Sequence, residues 1–169
     1  MVHKRRKSTS RFSSPLWSDD SEIKLQSSNS GRYLRILPDG SIDCRSHGNT
    51  DWARFTVTHA RNSGCVRLRN IGDPSHFLGI DRQGRLLVCD GGKDAELVPL
   101  CQGNNKEQVA LHGALHPGQF YHIGCDKDGN MLKPSRVRND AEEATFVVSE
   151  ARMETAQEGC CSSCSCLVM

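Results

Sequence analysis

Apolar and polar residues alternate along most of this chain in short runs, separated by clusters of Gly, Asn, Asp and Pro. A period of two puts every second side chain on one face of a strand, whereas the i, i+3, i+4 recurrence of an amphipathic helix is almost absent. The pattern predicts an all-β chain. One stretch occurs three times. Tyr33-Leu34-Arg35-Ile36 runs into Pro38-Asp39-Gly40, Phe77-Leu78-Gly79-Ile80 into Arg82-Gln83-Gly84, and Phe120-Tyr121-His122-Ile123 into Lys127-Asp128-Gly129. The glycines fall 44 and then 45 residues apart. In each copy an aromatic-led strand meets a turn whose glycine is expected at positive φ, where a Cβ would clash. A second short apolar strand follows, at Ser41–Asp43, Arg85–Val88 and Asn130–Leu132.

Later strand candidates complete each unit: Ala53–Thr58 with Val66–Arg69, Ala95–Leu100 with Gln108–His112, and Ala144–Ser149. Each unit has one face to bury and none can stand alone. A propeller shares a period of about 40–45 residues, but three blades are too few to close one. Threefold closure into a barrel capped by hairpins satisfies all three units, so the predicted fold is a β-trefoil over residues 21–149. Residues 1–20, basic and Ser-rich, read as a disordered leader, and 150–169 as a polar spacer with a Cys-rich tail.

The first repeat, Gly31-Arg-Tyr-Leu-Arg-Ile-Leu-Pro-Asp-Gly-Ser-Ile-Asp43, resembles the opening of the fibroblast growth factor family, whose hallmark is a strand, Leu-Pro-Asp-Gly, and a second strand. Val66-Arg-Leu-Arg, Phe77-Leu-Gly-Ile and Gly84-Arg-Leu-Leu are similar to the family's central strand–turn–strand. Gly124-Cys-Asp-Lys-Asp-Gly-Asn-Met-Leu-Lys-Pro-Ser-Arg resembles the segment carrying its heparin-binding loop. The resemblance spans roughly residues 24–148. It implies a β-trefoil ligand for a receptor ectodomain and heparan sulfate. The chain departs from the family at the receptor-contact segments. Ala95-Glu-Leu-Val98 and Asn105-Lys-Glu-Gln-Val-Ala110 stand where the family has Glu-Cys-x-Phe and Asn-x-Tyr-x-x-Tyr, and Leu25-Gln26-Ser27-Ser28 where a tyrosine is usual.

Composition narrows the picture. Apolar residues make up 36%, below the usual ~45–50% that also counts glycine, which suffices for one modest core. No run approaches the ~18–20 apolar residues of a membrane-spanning helix. Five of the 22 bases (Lys4, Arg5, Arg6, Lys7, Arg11) precede the first acid, so the remaining 17 face 20 acids. A body of that sign is a poor general polyanion binder, and no specific nucleic-acid partner is expected. Any such affinity must be local. Lys127, Lys133, Arg136 and Arg138 are the candidate heparin or polyanion site, diluted by Asp126, Asp128, Asp140, Glu142 and Glu143 in the same stretch.

Five cysteines lie in the body (Cys44, Cys65, Cys89, Cys101, Cys125) and four in the last ten residues. An odd total of nine, with no apolar segment after the basic start, points to free thiols in a reducing compartment. Cys166-Leu167-Val168-Met169 fits the C-a-a-X prenylation rule, and Cys160, Cys161 and Cys164 are candidate palmitoylation sites. One prenyl chain, at about 0.8 kcal/mol per buried CH₂, needs a second signal for stable anchoring. Neighbouring acyl groups or the Lys4–Lys7 patch would supply it, although that patch also reads as a nuclear signal or a solvated leader. The alternative for the tail is a metal or redox tract.

His112, His116, His122 and Cys125 have spacings reminiscent of zinc ligands but straddle a Pro-Gly turn, and satisfied or exposed histidines are the expectation. Trp17 and Trp52 read as packing residues. No nucleophile elbow, phosphate loop or metalloprotease motif occurs, so neither enzyme activity nor a cofactor is expected. Two functions remain. One is a growth-factor-like binding protein for a receptor or heparan sulfate. The other is an intracellular trefoil adaptor with a protein partner, held at the cytosolic membrane face or in the cytoplasm; nuclear and unconventional extracellular pools fit the same features.

Overall fold

The computed structural model describes residues 14–61, 64–102, 105–115, 121–138 and 140–151. Over these residues the chain forms ten strands and no α-helix. They are β1 (Glu22–Ser27), β2 (Tyr33–Ile36), β3 (Ile42–Ser46), β4 (Phe55–His59), β5 (Val66–Asn70), β6 (Phe77–Ile80), β7 (Leu86–Cys89), β8 (Leu97–Gln102), β9 (Asn105–Gly113) and β10 (Phe146–Glu150). β1 pairs with β4 and β10, β4 with β5, β5 with β8, β8 with β9, and β9 with β10, all antiparallel. Six strands thus close on themselves, and closure removes the unpaired edges that an open sheet would expose. The expected β-trefoil is the fold observed.

Three hairpins cap the barrel with one register. Ile36 pairs with Ile42, Ile80 with Leu86, and Cys125 with Met131, the last as an isolated bridge. The turn glycines between them, Gly40, Gly84 and Gly129, all take positive φ (79°, 72° and 83°), as their spacing predicts. The register also aligns the strands before the turns. Leu34 and Ile36 correspond to Leu78 and Ile80, and then to Ile123 and Cys125, all buried. By this count the third-unit counterpart of Tyr33 and Phe77 is His122, which is fully buried. Phe120, expected to lead that strand, lies outside the described residues.

Close backbone approach supports this alignment. A Cβ on Gly79 would stand 2.6 Å from the carbonyl oxygen of Asp94, and one on Gly124 would stand 2.6 Å from that of Glu143. Each glycine lets a hairpin lie directly on the turn that feeds the next barrel strand.

Those feeding turns correct the strand starts read from sequence. Ala53, Ala95 and Ala144 do not open strands; each ends a short 3-10 turn, Asp51–Ala53, Lys93–Ala95 and Glu142–Ala144. Their N–H groups bond back to Thr50, Gly92 and Ala141 at 3.0–3.1 Å. The three alanines are fully buried, because only a small side chain fits where the turn enters the barrel. The alternation resumes two residues later with Phe55, Leu97 and Phe146, also fully buried.

Residues at both ends of the described barrel join it. Pro15–Trp17 form a 3-10 turn that places Trp17, only 2% exposed, in the core. The Ala151 N–H donates to the Glu22 carbonyl at 2.8 Å. Trp52 is half-buried in its turn, its ring packed where a Cβ on Gly72 would be.

Candidate polyanion site on the third hairpin

The third turn is built around Asp126. Its Oδ1 accepts the N–H groups of Asp128 and Asn130 at 2.9 and 2.8 Å, and its Oδ2 accepts the Asn130 amide at 2.9 Å. These bonds, the Asn130 side chain foremost, hold the carboxyl below the usual aspartate range. The corresponding Asp81 caps the second turn in the same way. With Asp126 committed to the turn, Lys127 and Asp128 stand exposed at its corner.

The first unit braces this turn. Cys44 N–H donates to the Gly129 carbonyl at 2.9 Å, and Arg45 Nε to the Asp128 carbonyl at 3.2 Å. A second Arg45 nitrogen donates to Asn130 Oδ1.

Beyond the turn the chain alternates between anchors and bases. Lys133 is exposed, Pro134 buried, Ser135 and Arg136 exposed, Val137 buried, and Arg138 exposed. Pro134–Arg136 form a 3-10 turn with Lys133 as its N-cap. Val137 packs with Ala110 and Ala144 in a small cluster beside the main core. Two buried side chains thus pin the loop and turn its bases outward.

The charges are not equivalent. Among the described residues no carboxylate pairs with Lys127, Lys133 or Arg136. Arg138 binds Asp140 through two nitrogens, at 3.2 and 3.0 Å, and both side chains are largely exposed. Of the expected diluting acids, Asp126 is turned into its hairpin and Asp140 is spent on Arg138, while Asp128 and Glu142 remain exposed and Glu143 is half-buried.

A cleft of about 640 Å³ opens where the three hairpins meet, lined by Ile42, Arg85, Leu86, Met131, Leu132 and Lys133 among others. Arg85 and Lys133 both line it, together with the apolar Ile42, Leu86, Met131 and Leu132. Arg85 is paired with Asp81 at 2.7 Å, yet its side chain is 74% exposed. Arg85 is a cleft-lining base outside the four expected from the sequence. The signal available was its position one residue after the turn glycine, matching Ser41 and Asn130.

The remaining candidates are placed as follows. His112 and His122 face each other with ring centroids 5.2 Å apart, and the His122 ring lies 3.3 Å from the Val137 carbonyl. Cys125 turns elsewhere, toward Ser27, and His116 lies outside the described residues. No three His, Cys, Asp or Glu side chains converge among the described residues. Cys160, Cys161, Cys164 and Cys166, and the basic residues Lys4–Arg11, also lie outside them. Among the described residues no helix is long and apolar enough to cross a membrane.

The family model described as "Fibroblast growth factor" matches residues 21–147. Fibroblast growth factor 1 of Cynops pyrrhogaster is similar to this chain, with 24% identity over 139 residues, covering 82% of this chain and 92% of the relative.

Proposed function

This chain belongs to the fibroblast growth factor family, and on that premise we propose that its third hairpin binds a sulfated polysaccharide of the heparan sulfate class. Family membership supports a non-catalytic signalling role of the growth-factor type. In this reading Lys127, Lys133, Arg136 and Arg138 hold the polyanion. A receptor ectodomain is the protein partner, met without the tyrosines usual in the family's contact segments.

The observation that carries the reading is the pinned loop. Pro134 and Val137 are buried while Lys133, Arg136 and Arg138 face solvent, and Lys127 stands at the adjoining turn. A pre-shaped row of bases loses little conformational freedom when it meets repeating sulfates, and each sulfate contacted releases counterions. Affinity should therefore be salt-sensitive and modest, since only four bases contribute.

The test is retention on immobilised heparin. The reading requires elution above ~0.15 M salt, with earlier elution of Lys133→Glu and Arg136→Glu. Elution at or below that salt, or indifference to both reversals, would sink it.

A second reading, a lipid-held trefoil adaptor at the cytosolic membrane face, is favoured by one observation. Among the described residues Cys44, Cys65, Cys89, Cys101 and Cys125 are not joined in disulfides, as expected of a protein kept in a reducing compartment. On this reading a tagged chain sits at membranes and Cys166→Ser releases it; unchanged localisation removes the idea.

A further inference from the structure

The interior between the first and third units holds soft donor atoms that polyanion binding leaves unused. Cys44 of β3 and Cys125 of the third hairpin are fully buried. Met131 is half-buried and faces Cys125 across the hairpin bridge. The Cys44 Sγ lies 3.8 Å from the Met131 Sδ, and Cys44 and Cys125 belong to one buried cluster against which Met131 packs. Three sulfurs are therefore gathered at one place in the core.

We propose that Cys44, Cys125 and Met131 form a binding site for one thiophilic monovalent cation, Cu(I). Thiolate and thioether sulfurs are soft ligands, and that softness selects Cu(I) over harder divalent ions. Two sulfurs held at about 2.3 Å from a single d¹⁰ ion stand about 3.8–4.0 Å apart. The Cys44–Met131 separation already meets that spacing, so coordination there requires little movement. The thioether completes a donor set that cysteine and histidine side chains do not complete by themselves.

The polar groups beside Cys125 suit a coordinated thiolate at that sulfur. Ser27 Oγ accepts the N–H groups of Asn29 and Ser30, each at 3.2 Å. The Cys125 thiol donates to the same oxygen from 3.1 Å, and once copper displaces that proton the Ser27 hydroxyl can turn to donate to the sulfur. A donor of this kind orients the sulfur and supports negative charge on it. Access is provided as well, because Met131 lines the cleft where the hairpins meet. The ion meets the thioether first and the buried thiols behind it. As each Cu–S(Cys) bond forms, that cysteine's thiol proton passes to solvent; copper enters and stays as Cu(I), so no electron moves.

The test uses the full-length chain carrying Cys160→Ser, Cys161→Ser, Cys164→Ser and Cys166→Ser, so that the tail thiols do not compete. Cu(I) is titrated anaerobically against bicinchoninate, with native mass spectrometry for stoichiometry. The expected result is one Cu(I) withdrawn from the chelator, and a raised melting temperature at one equivalent. Met131→Leu, which nearly conserves volume, should weaken uptake tenfold or more and abolish the thermal shift. Cys44→Ser and Cys125→Ser should each remove uptake, while Cys101→Ser, at an exposed position on β8, leaves it unchanged. If a serine variant loses its near-ultraviolet circular dichroism, Met131→Leu decides the matter. No uptake, or uptake that Met131→Leu leaves unchanged, overturns the site.

Discussion

Arg45 of the first unit donates to the backbone carbonyl of Asp128 at 3.2 Å, so a strand of one repeat holds the turn that presents Lys127 in another. The same guanidinium reaches Asn130, the residue that also caps Asp126. The turn that carries Lys127 is thus braced by a residue outside the candidate polyanion site.

Arg45→Ala tests this brace. The bonds are solvent-exposed, so the expected loss of stability is small, about 0.5–1 kcal/mol, measured by urea denaturation. Heparin elution should nevertheless move to lower salt, by less than for Lys133→Glu. An elution position unchanged from the parent would show that the third turn holds its shape without Arg45.

The threefold architecture was legible because its signals are local. Alternation and a turn glycine mark each hairpin, and the pairs Ile36–Ile42, Ile80–Leu86 and Cys125–Met131 follow from those two features. Two errors had physical causes. Alternation runs through Ala53, Ala95 and Ala144 without a break, so the 3-10 turns are invisible to a period count. Aromatic size made Phe120 look like the mate of Tyr33 and Phe77, although counting from Gly129 reaches His122. Of the candidate site, the bases could be read directly, whereas the anchoring by Pro134 and Val137 could not. The contact of Cys44 with Met131 joins residues 87 positions apart, and only the closed barrel brings them together.

Gly79 and Gly124 are hairpin glycines whose φ is ordinary, so close approach alone should make them hard to replace. An alanine at either would place its Cβ 2.6 Å from a backbone carbonyl oxygen that cannot rotate away. Each substitution is expected to cost about 1–3 kcal/mol through forced displacement of the feeding turn. Gly31→Ala is the contrast, since its φ of 68° is unfavourable but nothing lies within 4 Å of the added carbon. Its cost should be nearer 1 kcal/mol. Equal unfolding midpoints for Gly31→Ala and Gly124→Ala would contradict the close-approach argument.

Acid should loosen the third turn through Asp126. Its carboxyl titrates below the ordinary aspartate value because Asn130 and neighbouring N–H groups bond to the ionised form. A depressed folded-state pKa means that ionisation favours the folded chain. The contribution is fully present above the unfolded value of about 3.9, and it is lost as pH falls through the lower folded value. Asp126→Asn removes this group from the titration, so its urea midpoint should fall less steeply than the parent's between pH 5 and 2, as order-of-magnitude bounds around those values. Parallel midpoint curves for the two proteins would mean that Asp126 contributes nothing to the acid response.

Asp140 should act as a brake on polyanion binding. It engages Arg138 through two nitrogens at 3.2 and 3.0 Å, whereas Arg136 has no carboxylate partner among the described residues. An exposed pair of this kind contributes little to stability, so Asp140→Asn should leave the unfolding midpoint nearly unchanged. It removes one negative charge from the loop and frees a guanidinium for sulfate. Heparin elution should therefore shift to higher salt, and the salt dependence of binding should steepen by close to one contact. Arg138→Ala should weaken retention less than Arg136→Ala in the parent, and equally in the Asp140→Asn background. If Asp140→Asn leaves both elution and salt dependence unaltered, Arg138 does not touch the polyanion, and the site contracts to Lys127, Lys133 and Arg136.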